Sequence, residues 1–266
     1  MVFRTEVDIP LSPWQIDHSQ KILLLGSCFS DNIGERLLHA GFDADVNPLG
    51  TLYNPASIAE ALHPTNWPEF SQWLHSKAYT SPAIVPSTPL ELPLNSPSTP
   101  LLIITFGTAW IYRLKETGMI VANCRKQPDR LFLRERLSVD DIVNTWTPLL
   151  EDWLGEAPHI IFTVSPIRHR KDGFHENQIS KSTLLLAVEE LCHKFPDRCS
   201  YFPAYEIMMD ELRDYRFYAD DMMHPSSVAI DYIWQRFQDT YFSAATKTKT
   251  LEYEKLYKQS LHVPNK

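Results

Sequence analysis

The sequence predicts one α/β domain, a mostly parallel sheet wrapped by helices on both faces. Three observations carry this reading. The runs KILLL (21–25), LLIITF (101–106) and HIIFTVSP (159–166) are continuously apolar, the pattern of strands covered on both sides. Segments of helical periodicity alternate with them, as a chain of crossover connections requires. No internal repeat or interdomain linker divides the 266 residues, so all of 1–266 is assigned to a single domain with its core at about 20–243.

In chain order, KILLL is the first strand. A helix follows, capped by Ser30 or Asp31, with Ile33, Leu37 and Leu38 inward and Gly41 at its end. FDADV (42–46) is a second strand ending in NPLG, and Pro55 opens a short helix, PASIAEAL. Residues 63–100 are rich in proline and serine, with Trp67, Phe70 and Trp73 among them, and read as an insertion with a short helix and a surface excursion. After LLIITF, the segments WIYRL and MIVANC flank KETG as a β-hairpin. SVDDIVNTWTPLLEDWL (138–154) is helical and HIIFTVSP a fourth core strand. NQISKSTLLLAVEELCHKF (177–195) is the strongest helix and SYF (200–202) a short fifth strand. YEIMMDELRDY and PSSVAIDYIWQRFQDTYF are helical, and a polar C-terminal tail is expected from about 244 to 266.

Composition narrows the function. A net charge of −8 argues against nucleic-acid and anionic-membrane partners, which need a basic surface. The first twenty residues contain acids and no apolar core, so no secretory leader is expected, nor any bilayer-spanning run, and cytoplasmic residence is the expectation. Cys28, Cys124, Cys192 and Cys199 follow no CxxC spacing, so neither zinc nor a disulfide framework is expected, and no cofactor.

In a parallel sheet of this kind, ligands bind at the carboxyl ends of the strands. Two segments there carry chemistry. Gly26-Ser27-Cys28 places two candidate nucleophiles side by side where a strand turns into a helix. Asp221-Met-Met-His224 puts an acid three residues before a histidine, so the carboxylate can bind one ring nitrogen while the other faces a nucleophile. The pair of motifs suggests nucleophilic catalysis and leaves Ser27 and Cys28 both open. A plain buried filler is the alternative role for Cys28. His39, His63, His75 and His193 show no partner spacing and read as surface or helix-end residues.

GSCFS (26–30) with DMMH (221–224) resembles the GSCFA family, a branch of the SGNH (GDSL-like) hydrolase superfamily. NPLGTLYNP (47–55), FGTAWIY (106–112), VANCRK (121–126), FTVSPIRHRKDGFHENQ (162–178) and YFPAYEIMMDELRDYRFYADDMMHPS (201–226) extend the similarity over roughly residues 20 to 240. The resemblance implies a flavodoxin-like three-layer α/β/α sandwich and ester or acyl-group chemistry on a small-molecule or carbohydrate ester, an O-acetyl group among the fits. Laid without a gap on the superfamily's GDSLSDN, the stretch GSCFSDN puts Cys28 at the nucleophile's position and Ser27 at the aspartate's. At a helix N-terminus facing a histidine, Cys28 is expected to have a lowered pKa and act as the thiolate.

The superfamily's oxyanion site uses the nucleophile's own amide, a glycine after the second strand and an asparagine in a Gly-x-Asn-Asp loop. Gly50 matches the glycine. Ala109 stands where the asparagine belongs, and loss of such a donor costs on the order of 3 kcal/mol in the transition state. Asn54 and Asn123 are the candidate replacements, with a plain turn role as the other reading of each. Arg168 and His169, in the run IRHRK after the fourth core strand, are the candidate substrate-binding residues for a carboxylate or phosphate. A solvated basic loop is the alternative, and the same two readings apply to Arg125 and Lys126. The missing asparagine also keeps in view a non-catalytic ligand-binding protein on the same fold. A metal site from Asp220, Asp221 and His224 is the poorest of the alternatives.

Overall fold

The computed structural model describes residues 4–62, 101–122, 124, 127–153 and 159–261. The expected insertion at 63–100, together with Asn123, Arg125 and Lys126, lies outside them.

Five parallel strands form the central sheet: β1 (Lys21–Gly26), β2 (Asp43–Val46), β3 (Leu101–Phe106), β7 (Ile160–Val164) and β8 (Cys199–Phe202), in the order β2-β1-β3-β7-β8. Among these strands that is the 2-1-3-4-5 order of the flavodoxin-like fold. Pleating sends alternate residues to opposite faces. Leu23, Leu25, Leu102, Ile104 and Phe106 pack on one side, with α2 (Pro55–Leu62), α3 (Val139–Trp153) and α4 (Phe174–Lys194). Ile22, Leu24, Leu101 and Ile103 pack on the other, against α1 (Cys28–His39) and α6 (Ser227–Tyr241). The expected three-layer α/β/α sandwich is therefore present, with a hydrophobic core on each face. Trp146 anchors the first core: its ring meets Phe106 and Phe162 edge-on at 5.2 and 5.4 Å, and its indole N–H donates to the Pro55 carbonyl at 3.1 Å.

The expected hairpin is β4 (Trp110–Leu114) paired antiparallel with β5 (Ile120–Val121). A third strand that the sequence reading left out, β6 (Phe132–Arg136), pairs with the other edge of β4. FLRER is exposed along nearly its whole length and carries no apolar alternation, so hydrophobic patterning had nothing to register. Helical structure after β8 is shorter than expected. The turn α5 (Ala204–Glu206) passes into a π-type stretch, Ile207–Glu211, in which Leu212 N–H reaches back to the Ile207 carbonyl at 2.8 Å.

The polar tail expected from Ala244 is instead a helix, α7 (Ala244–Leu261). Ser243 caps it, accepting from Thr246 N–H at 3.0 Å. The buried Thr246 hydroxyl donates to the Ile16 carbonyl at 3.0 Å, and Tyr257 stacks on His39 with ring centroids 3.6 Å apart. Few apolar residues seat this helix, which is why hydropathy read it as a tail. Among the described residues no helix is long and apolar enough to cross a membrane.

One glycine is imposed by the sheet. Gly26 ends β1 at φ +149°, and a Cβ there would lie 2.3 Å from the Thr105 carbonyl oxygen on β3. Gly26→Ala is expected to destabilise the protein by roughly 2 kcal/mol or more, because the obstruction is backbone and cannot rotate away. A urea unfolding curve with an unchanged midpoint would contradict this.

Candidate active site

The β1–α1 turn settles the geometry of the two candidate nucleophiles. Ser27, and not Ser30 or Asp31, is the N-cap of α1: its Oγ accepts from Phe29 N–H at 3.3 Å, and the residue is buried. Ser30 instead faces the sheet and donates to Thr105 Oγ1 at 2.8 Å, while Asp31 accepts from Asn47 Nδ2 at 2.7 Å. Cys28 is the first residue of the helix and half-buried, and its Sγ lies 3.7 Å from His224 Nε2. The residue beside the histidine is the cysteine.

His224 reaches this position from a loop built by Asp221. Asp221 Oδ1 accepts from both Met223 N–H and His224 N–H at 2.9 Å, and Oδ2 pairs with His224 Nδ1 at 2.5 Å. Those bonds, the His224 amide first, hold the Asp221 carboxyl down at about 2, so it is ionised throughout the neutral range. Met222 occupies the left-handed region at φ 59°, a conformation disfavoured for its side chain and tolerated here because the Asp221 turn requires it. Among the described residues Asp220 belongs to no group of three or more side chains able to hold a metal.

Cys28 does not follow the expectation of a lowered pKa. Burial pushes its thiol up, and Asp31 and Asp221 add to this; its own backbone N–H and Lys181 act in the opposite direction. The half-buried position outweighs the helix terminus, because desolvation acts on the thiolate directly.

A cavity of about 540 Å³ opens at the carboxyl ends of the strands, with Cys28, His224, Tyr53, Asn54 and Trp110 in its wall. Asn54 caps α2 through Oδ1, which accepts from Ser57 N–H at 2.8 Å, leaving Nδ2 as the donor end of the amide. Gly50 is not in this wall, and its N–H donates to the Asn47 carbonyl at 2.8 Å to close a turn, so the expected glycine donor is already committed. Ala109 is fully buried and its N–H donates to Ser180 Oγ at 2.8 Å. Asn123 lies outside the described residues.

Arg168 and His169 both line the cavity, as the expected substrate-binding residues would. The Arg168 guanidinium donates to the Met222 carbonyl at 3.2 Å and stacks over Phe174 at 4.3 Å, which braces the loop carrying His224. His169 is largely buried, and burial first, then the nearby Lys181, lowers its pKa to about 3. It is a neutral imidazole at physiological pH and offers no charge to an anion.

Three site-building residues escaped the sequence reading, all on one face of α4. Asn177 Oδ1 accepts from His169 N–H at 2.9 Å, Ser180 Oγ holds the Ala109 amide, and Lys181 Nζ donates to the Gly107 and Ser165 carbonyls at 2.6 and 2.7 Å. Lys181 is fully buried, and desolvation lowers its pKa to about 7. The signal was legible in spacing. Asn177, Ser180 and Lys181 extend the buried stripe of Leu184, Val188 and Leu191, so polar groups occupy a face that should be apolar.

The profile of the GSCFA family matches residues 21–79 and 94–237, and the chain belongs to that family. No curated protein matches the sequence. Solved structures of similar shape include a GDSL-like lipase from Bacteroides thetaiotaomicron (10% identity, 86% of this chain and 88% of the other, TM-score 0.45). Two others are an alpha/beta hydrolase enzyme from the metagenome of Lake Arreo (8%, 85% and 96%, 0.48) and a catalytic mutant of an acetylxylan esterase from Geobacillus stearothermophilus (11%, 86% and 97%, 0.43).

Two pH predictions follow from the burial of Cys28 and Lys181. With its thiol pKa raised, alkylation of Cys28 by iodoacetamide should be slower at neutral pH than that of an exposed cysteine and still be rising above about pH 8.5. A rate already at plateau in mild acid would mean a resting thiolate–imidazolium pair and refute this. For Lys181 the folded value of about 7 lies below the unfolded value of about 10.4. Between the two the unfolded chain binds more protons, so this group makes stability rise with pH across that window. Lys181→Met should flatten that part of the wild-type stability profile measured by urea unfolding; an unchanged slope would mean Lys181 is not desolvated.

Proposed function

We propose that the protein is an acyl-group hydrolase or transferase that works through a thioester on Cys28. The observation that carries this is the aligned chain from Cys28 Sγ to His224 Nε2 at 3.7 Å and from His224 Nδ1 to Asp221 at 2.5 Å. Membership in the GSCFA family supports it.

Because the thiol pKa is raised, Cys28 rests as the thiol and His224 has to act as a base during attack. Sγ forms a bond to the ester carbonyl carbon as its proton passes to His224 Nε2. Asp221 keeps Nδ1 protonated and offsets the imidazolium charge. The tetrahedral oxyanion takes as donors the Cys28 amide N–H, which belongs to the superfamily pattern, and Asn54 Nδ2, which stands in for that pattern's glycine and asparagine. Collapse breaks the bond to the alcohol, which receives the proton from His224. Water or a second hydroxyl then attacks the thioester, losing its proton to His224, and the thiol is regenerated with that proton.

Hydrolysis of 4-nitrophenyl acetate by four forms of the protein tests the scheme. Cys28→Ala and His224→Ala should each lower kcat/KM by about 100-fold or more. Ser27→Ala should mainly cost stability, about 1 kcal/mol for the lost cap, and leave Cys28 alkylation in place. Fluorophosphonate labelling of Ser27 with Cys28 unreactive would overturn the assignment. A second reading, a ligand-binding protein without catalysis, is favoured by one observation: Ala109 is buried and gives the cavity no donor. Absence of reaction at either residue would select that reading.

A further inference from the structure

The wall of the cavity opposite in character to the rest of the molecule is basic. In a chain with 33 acidic and 25 basic residues, the cavity is lined by Arg134, Arg168, Arg170 and Lys171 and by one carboxylate, Asp172. These charges are not equivalent. Asp172 is consumed by an ion pair with Arg134, whose guanidinium also lies 4.2 Å over the Trp110 ring. Arg168 braces the Met222 loop. Lys171 donates to a neutral group, the Tyr112 hydroxyl, at 3.4 Å, with Asp129 as the acid whose field it feels. The Arg170 side chain is exposed and forms no hydrogen bond, ion pair or ring contact among the described residues. Arg170 and Lys171 are adjacent in sequence, in the short turn Arg170–Asp172, and both border the cavity that holds Cys28 and His224.

The geometry points to a phosphate-bearing substrate, its anion held by Arg170 and Lys171 and its remaining bulk laid against Trp110 and Tyr112. Resting on the acyl-transfer reading only where it calls this ligand a substrate, the inference names the class of molecule that the cavity takes. Charge selects phosphate over carboxylate. After the Arg134–Asp172 pair cancels, Arg168, Arg170 and Lys171 leave the wall with three positive charges. A phosphate monoester brings about −1.5 to −2 at neutral pH, whereas a carboxylate brings −1. Arginine adds two parallel N–H groups that match phosphate oxygens, and the neighbouring ammonium adds a third donor. His169, neutral as shown above, borders the same cavity without adding charge, so the selectivity falls on the two exposed cations.

Three probes that share a phenyl ring and differ in charge test this on the full-length protein by calorimetric titration near pH 7.5: phenyl phosphate, benzoate and benzyl alcohol. Phenyl phosphate should bind about ten-fold or more tightly than benzyl alcohol and more tightly than benzoate. It should also slow alkylation of Cys28, which places it in this cavity. Arg170→Glu and Lys171→Glu should each remove most of that preference, and because both side chains lie at the surface, circular dichroism should show the fold unchanged. Benzoate binding as tightly as phenyl phosphate overturns the choice of phosphate. Equal binding of all three probes, binding that leaves Cys28 alkylation unaffected, or a preference that survives both charge reversals overturns the site. The readout needs no turnover. If phenyl phosphate binds as expected while Cys28→Ala leaves ester hydrolysis unchanged, the acyl-enzyme reading fails and the anion site stands.

Discussion

The approach of β1 to β3 at Gly26 is the constraint on which the site depends. The chain leaves the sheet at the Thr105 carbonyl with no room for a side chain, and Ser27 N–H donates to that carbonyl at 3.2 Å. Ser27 then turns its hydroxyl inward to cap α1, so that Cys28 becomes the first helical residue and points outward to the histidine. Asn47 fixes the same corner from the β2 side: its Oδ1 accepts from Gly26 N–H at 2.9 Å and its Nδ2 donates to Asp31. A residue's role here follows from where the backbone turns. Ser27 and Cys28 are neighbours with opposite assignments because one faces the sheet and the other the cavity.

The opposite side of the site is held by α4. Asn177, Ser180 and Lys181 lie three and four residues apart on one face, and each bonds the backbone of a loop at the end of β3 or β7. The Lys181 ammonium bridges two carbonyls at the ends of adjacent strands, where a helix or a water would otherwise have to satisfy them. Its charge is also one of the few influences that favour a Cys28 thiolate. The same side chain thus fixes two loop carbonyls and contributes to the field at Cys28.

The electrostatics of the cavity are divided along the chain. Two acids, Asp31 and Asp221, lie beside Cys28 and His224, where Asp221 orients the imidazole and both push the Cys28 thiol pKa up; the cations lie on the 168–171 turn and on β6. Arg134 reaches the cavity only because β6 pairs with β4, which places it over Trp110 and within reach of Asp172. The small antiparallel sheet thus supplies Trp110, Tyr112 and Arg134 to the cavity wall, while the loops at the carboxyl ends of the parallel sheet carry Cys28 and His224.

The fold was written in local pattern. Continuous apolar strands alternating with periodic helices require a two-sided parallel sheet whatever the details of packing, and KILLL, LLIITF and HIIFTV appear as its three central strands. The Asp221–His224 spacing was likewise sufficient to place acid against imidazole, because three residues of turn leave little freedom. Elements without apolar signal were not legible: β6 is exposed and charged, and α7 is seated by threonines and ring stacking. Nor could spacing decide between Ser27 and Cys28, assign Gly50 to a closed turn, or say which carbonyls the buried Lys181 would meet. Each of those depends on which direction a side chain or an amide takes once distant segments meet, and that direction is fixed by tertiary contacts such as the one at Thr105.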